Sequence, residues 1–166
     1  MIVTLSDDVL DLVAEITRRV PSYFSAAVQK DHTSRAMGFL GEAAAAIFLS
    51  GSDEPFRETW RRMVDQPDKP DLDRYPDIEI KTVPDMRRPH FAIGNGRRPE
   101  VKVTNYLVFR KISPRQIQVE GWLGKDDVMD SWKRSHQYRF PSGTPILPCS
   151  WLRSPESCPW RETDGG

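Results

Sequence analysis

The sequence predicts an α+β fold, a central mixed sheet with flanking N-terminal helices on one side, and three observations lead there. The first is order: two segments of helical periodicity come first, and most of the later chain alternates as strands do. The second is the pair "NYLVFRKI" and "QIQVEGWLG", which alternate well and meet at Ser113–Pro114 as the arms of a hairpin. The third is composition. With 38% hydrophobic and 29% charged residues among 166, the chain reads as one globular domain with a substantial core. Within it, 1–33 reads as an N-terminal helical extension, 34–123 as the core, and 124–166 as a Pro-rich part packing on that core.

Taken in order, Ser6 offers a capping hydroxyl, and Asp7 and Asp8 sit by the positive end of the first helix dipole. Val9, Leu10, Val13, Ile16 and Val20 then recur at helical spacing until Pro21 closes the segment. A short helical piece is expected around Tyr23 to Gln29. Thr33 or Ser34 opens a second helix, "SRAMGFLGEAAAAIFLS", with Gly51 as its C-cap. "PFRETWRRMVDQ" reads equally as a first strand or a short helix. Next come a short strand near Pro70–Leu72, a turn through Arg74–Pro76 and the strand Ile78–Val83. Residues 84–104 read mostly as loop, and "KDDVMDSW" as a short helix. The tail from Phe140 carries Ile146, Leu147, Trp151 and Leu152, expected to pack over the sheet.

Formal net charge is zero, so no overall positive field draws the chain to nucleic acid, and any such affinity has to be local. No apolar run approaches the roughly 20 residues that span a bilayer. "MIVTLSDDVLDL" lacks the basic start and apolar core of a signal peptide. The expectation is a cytoplasmic protein with no membrane partner. Cys149 and Cys158 match neither a zinc spacing nor a secreted disulfide framework, and read as two thiols of a reducing compartment.

The candidate site begins at "RYPDIEIKTV", residues 74–83. Strand alternation puts Asp77, Glu79 and Lys81 on one face, with Ile78, Ile80 and Val83 expected on the other. A charged face of this kind is ordinary on a solvated strand. Glu42 makes it less ordinary: its helical neighbours Gly38, Phe39, Ala45, Ala46 and Leu49 are neither charged nor polar. A carboxylate on an apolar stripe is costly unless a hydrogen bond, a countercharge or a metal compensates it. The plain alternatives are a glutamate that snorkels to the helix edge, or one paired with Arg35.

"GFLGEAAAAIFL", then "PDL", then "IEIKT", in that order, resembles the PD-(D/E)xK nuclease superfamily, which includes many restriction endonucleases, archaeal Holliday junction resolvases and phage exonucleases. The resemblance spans about residues 34–123 and implies a restriction-endonuclease-like core and a bacterial or bacteriophage source. It implies a hairpin carrying Asp71 on its first strand and Glu79 and Lys81 on its second, with Glu42 contributed by the helix. It further implies a Mg²⁺-dependent nuclease, with Mn²⁺ as a substitute, hydrolysing phosphodiester bonds in nucleic acid, chiefly DNA. Asp71, Glu79 and the Ile80 carbonyl would be ligands, with Glu42 holding a metal-bound water or joining a second site. Asp77 is the second choice for the place of Asp71. The chemistry suits such residues, because Mg²⁺ takes hard oxygen ligands and a lysine nearby can orient water or stabilise charge growing on the phosphate. A homodimer would suit double-strand cleavage.

From Lys81 to Arg115 the chain is basic, with only Asp85 and Glu100 opposing. Arg87, Arg88, His90, Arg97, Arg98 and Lys102 are the expected nucleic-acid-binding residues, since such groups contact phosphates and a ring between them can stack on a base. Two other readings stay open. One is a catalytically inactive nuclease fold that binds nucleic acid or a protein partner, and the other is a protein-interaction domain with chance motif matches.

Overall fold

A computed structural model of the chain describes residues 1–21, 32–66, 69–84, 88–94 and 99–162. The helical piece expected around Tyr23 to Gln29 lies outside these residues. The chain begins with β1 (Ile2–Thr4) and α1 (Asp7–Arg19), followed by α2 (His32–Ser50) and α3 (Glu54–Trp60). Then come β2 (Ile78–Val83), β3 (His90–Ala92), β4 (Asn105–Lys111), β5 (Gln116–Leu123), α4 (Lys125–Arg134) and β6 (Ile146–Pro148). The architecture is α+β. A four-stranded sheet runs β1-β5-β4-β2, with β2 parallel to β4 and the other neighbours antiparallel; β3 and β6 form a small antiparallel sheet of their own.

The start of α1 and the end of α2 follow local chemistry. The Ser6 hydroxyl accepts the Val9 N–H, and the acids of the first turn face the helix dipole. Gly51 ends α2 at φ +79°, in the left-handed region, and donates its N–H to the Ile47 carbonyl. Ala43, Ala44, Ala45 and Ala46 are all fully buried, which lets α2 lie close on the sheet. At the closest approach Gly41 faces Thr82 of β2, where a β-carbon would meet the threonine hydroxyl at 1.8 Å.

Two cores flank the main sheet. Ile78, Ile80, Leu107, Phe109, Ile117 and Val119 pack with α1, α2 and α3 on one side. Val83, Tyr106 and Val108 pack on the other side with Phe91 of β3, Leu147 of β6, and Val128 and Trp132 of α4. The sheet is therefore covered on both faces, and the fourth helix lies opposite the N-terminal three. Val83 belongs to the second core, on the side of Glu79 and Lys81, not with Ile78 and Ile80 as expected. The period of two requires this, because residues 79, 81 and 83 share a parity.

One further expectation is corrected and two are refined. Pro70–Leu72 is a bend, not a strand. Pro70 and Pro76 have no N–H for a ladder, and the segment spends its backbone on turns, Tyr75 N–H to the Leu72 carbonyl and Ile78 N–H to the Tyr75 carbonyl. Residues 84–104 contain β3, which pairs with β6 too far along the chain for local signals to register. Of the two readings of "PFRETWRRMVDQ", the structure takes the helix, α3.

The alternation of "QIQVEGWLG" also breaks. Val108 pairs with Gly121 and Phe109 with Val119, so Glu120 is the extra residue of a β-bulge. The bulge turns Trp122 to the side of Ile117 and Val119. Gly121 sits at φ +147°, and a β-carbon there would come within 2.2 Å of the Arg153 carbonyl oxygen. That approach exists because Trp122 and Arg153 exchange backbone hydrogen bonds of 3.1 and 2.9 Å. Gly121→Ala is expected to destabilise the protein by about 2 kcal/mol or more, lowering Tm by roughly 4–8 °C. Thermal unfolding checks this, and a Tm within a degree of wild type would show that the bulge relaxes freely.

Candidate active site at the edge of β2

β2 is an edge strand of the main sheet, and the loop carrying Asp71 covers its outer side. Leu72, fully buried, anchors this loop in the first core, while the Asp73 N–H donates to the Thr59 hydroxyl of α3 at 2.9 Å. Held so, Asp71 Oδ2 accepts the Ile80 N–H at 2.6 Å. A side chain thus takes the place of a missing strand partner. The N–H and C=O of one strand residue point to the same edge, so the Ile80 carbonyl shares this edge with Asp71.

Glu79 and Lys81 project from β2 toward the side of the second core. Lys81 Nζ donates to Glu79 Oε1 at 2.8 Å and to the Gly94 carbonyl at 3.3 Å, and Lys102 Nζ donates to Glu79 Oε2. Glu42, on α2, accepts the Trp60 indole N–H at 2.8 Å. Trp60 is fixed in turn by Phe39, edge-on at 4.9 Å, with the Lys69 ammonium 3.8 Å from its ring centroid. Arg35, the alternative partner considered for Glu42, donates to the Val20 carbonyl and lies over Phe39.

The charges form a chain around the strand edge. Burial and the nearby Asp71 carboxylate hold Glu42 well above the usual carboxylate range. Burial and Glu79 push Asp71 up to about 6. Burial also acts against ionisation at Glu79, but the ammonium groups of Lys81 and Lys102 outweigh it and hold Glu79 below its ordinary value. Asp71 is thus the link that feels both glutamates. Among the described residues no group of three or more His, Cys, Asp or Glu lies close enough to hold one ion as it stands. Asp71, Glu79 and the Ile80 carbonyl are hard oxygen donors of the kind Mg²⁺ takes, with Glu42 beyond Asp71 and lysines on either side.

These shifts have a pH signature. Because Asp71 keeps its proton to higher pH when folded, the unfolded chain ionises first, and this group lowers stability as pH rises from about 4 to about 6. Glu79 acts in the opposite sense: its stabilisation is present above its unfolded pKa and is lost as pH falls. Asp71→Asn, which retains an acceptor for Ile80, is expected to be more stable than wild type by about 1–3 kcal/mol at pH 7 and nearly equal at pH 4. Urea unfolding across that range checks it, and a difference independent of pH would contradict it.

The remaining expected residues are dispersed. Asp77 is exposed ahead of β2, with its carbonyl accepting the Thr104 hydroxyl, and takes no part in the cluster around Ile80. Arg88 is exposed, its guanidinium 5.9 Å from the Phe140 ring centroid, and with His90, Phe140 and Ser142 it lines a surface cavity of about 420 Å³. Lys102 sits on Glu79 instead of in an open basic loop. Arg87, Arg97 and Arg98 lie outside the described residues. Arg110, which also falls within the basic run, is buried against Glu120 at 2.7 Å and supplies no surface charge. Trp60 joins the site without being singled out by the sequence, although a carboxylate on an apolar stripe demands a donor and an indole N–H is one.

Comparison with protein-family models, curated proteins and solved structures gives no match for this chain. No helix among the described residues is long and apolar enough to cross a membrane. Cys149 and Cys158 are free, buried thiols.

Proposed function

We propose that the protein is a divalent-metal-dependent nuclease with a restriction-endonuclease-like core, acting on DNA in the cytoplasm. The observation that carries this reading is the placement of Asp71. It comes from outside the strand to the backbone of Ile80, in electrostatic contact with Glu42 on one side and Glu79 on the other. Asp71, Glu79 and the Ile80 carbonyl would hold Mg²⁺ or Mn²⁺, with Glu42 behind them. When bound, such an ion polarises the phosphate and lowers the pKa of a water. Lys81, pinned between Glu79 and the Gly94 carbonyl, would orient that water or stabilise charge developing on the phosphate. Trp60 fixes the Glu42 carboxylate through its indole N–H. Arg88 and His90 offer a phosphate contact and a ring beside a surface cavity. Cutting both strands of a duplex would call for two copies of the chain.

A second reading, an inactive nuclease-fold module that binds nucleic acid, is favoured by one observation: both Glu79 oxygens are taken by lysine ammonium groups. Incubating plasmid, linear and single-stranded DNA with Mg²⁺ or Mn²⁺ separates the two. Metal-dependent cutting by wild type, lost in Glu79→Ala, supports the nuclease. Salt-sensitive binding with no cutting under either metal supports the module.

A further inference from the structure

We propose that Lys102 is a positioning residue of this site, a displaceable counter-ion that holds Glu79 in the metal-free protein and is released toward the nucleic-acid phosphate when a divalent ion enters. The inference rests on the metal-site reading above and adds to it a second lysine outside the E-x-K segment. Ligands to a cation must be ionised. In that state four carboxylates, Glu42 with its neighbour Asp65, Asp71 and Glu79, stand against three ammonium groups, Lys69 by Glu42 and Lys81 and Lys102 by Glu79, and leave one net negative charge. A divalent ion would turn that into a net positive charge unless one ammonium left, and Glu79 can offer an oxygen to the ion only if a lysine gives one up.

Lys102 is the lysine built to leave. Lys81 has a second acceptor in the Gly94 carbonyl and is 20% exposed, whereas the Lys102 side chain is 41% exposed. Its backbone, by contrast, is fixed. The Lys102 N–H donates to the Ile93 carbonyl at 2.9 Å, and its carbonyl accepts the Tyr106 hydroxyl at 2.6 Å. Tyr106 is fully buried and lies opposite Glu79 in the β2–β4 register. The stem of Lys102 is therefore anchored beside Glu79 while its four-carbon chain pivots, a use that suits a flexible point charge better than a planar guanidinium. Once displaced, the ammonium stays within side-chain reach of the carboxylate cluster, where a phosphodiester would bring one negative charge.

The test uses the full chain and two variants, Lys102→Met and Lys102→Arg, titrated with Mn²⁺ alone and followed by the resonance of the free ion. Removing the competing cation is expected to tighten Mn²⁺ binding about 5- to 10-fold in Lys102→Met, with Lys102→Arg close to wild type. The same Lys102→Met should bind a short duplex DNA more weakly, with a salt dependence shallower by about one unit of slope. A merely structural lysine would not tighten metal binding when removed. Mn²⁺ affinity equal to or weaker than wild type in Lys102→Met overturns the counter-ion role, and an unchanged salt slope overturns the release toward phosphate. No Mn²⁺ binding by wild type or by either variant overturns the metal reading itself, and this proposal with it.

Discussion

Lys81→Ala is expected to reduce metal-dependent DNA cleavage by about 100-fold or more while the protein stays folded. The expectation follows from the position of the ammonium, held between Glu79 Oε1 and the Gly94 carbonyl on the face where Glu79 would meet a cation. Glu79 would not be stranded by the change, because Lys102 remains on its other oxygen. The lost pair is mostly buried, its side chains 20% and 14% exposed, and its loss is expected to cost about 1–3 kcal/mol, so cleavage is read where the unfolding curve shows the variant folded. Single-turnover cleavage with a parallel unfolding curve checks both halves. A variant that still cuts within a few-fold of wild type would remove Lys81 from the chemistry.

A second large effect is expected outside the carboxylate cluster. Arg110 and Glu120 form an ion pair between β4 and β5 at 2.7 Å, with the side chains only 6% and 14% exposed. Arg110 also donates to the Arg88 carbonyl at 2.9 Å, which ties the entry to β3 onto the main sheet. Glu120→Ala would leave a buried guanidinium without this carboxylate and is expected to lower stability by about 3–5 kcal/mol. Glu120→Gln, which keeps an acceptor, should lose less. Urea unfolding measures both, and a loss under about 1 kcal/mol for Glu120→Ala, the size of a surface pair, would mean that water reaches Arg110.

The features legible in the sequence are those written locally. Ser6 caps α1, Gly51 ends α2, and the hairpin of β4 and β5 shows in its own alternation. The features that stay hidden depend on partners distant in the chain. β1 is three residues whose role appears only against β5, and β3 and β6 are three-residue strands that define one another. The parity of Trp122 is masked by a bulge, and its backbone partner Arg153 lies 31 positions later.

The site divides in the same way. Glu42, Glu79 and Lys81 stand out as charges in a pattern, and Asp71 joins them by order along the chain. Its means of arrival differs from the expected one: a side chain reaching the Ile80 N–H replaces the first strand of a hairpin. Two contacts have no local signal at all, Trp60 on Glu42 across 18 positions and Lys102 on Glu79 across 23. A basic run in a sequence cannot distinguish a lysine that meets solvent from one that meets a carboxylate. Arg110 and Lys102 both meet carboxylates.

The central claim is a cation site at the edge of β2, with Asp71 as the group that joins its two sides. The most direct measurement is a Mn²⁺ titration of wild type against Asp71→Asn, without nucleic acid. The expected result is saturable binding by wild type, accompanied by a rise in Tm, and affinity weakened about 10-fold or more in Asp71→Asn. Equal affinity in the two proteins, or no saturable binding by wild type, would contradict it.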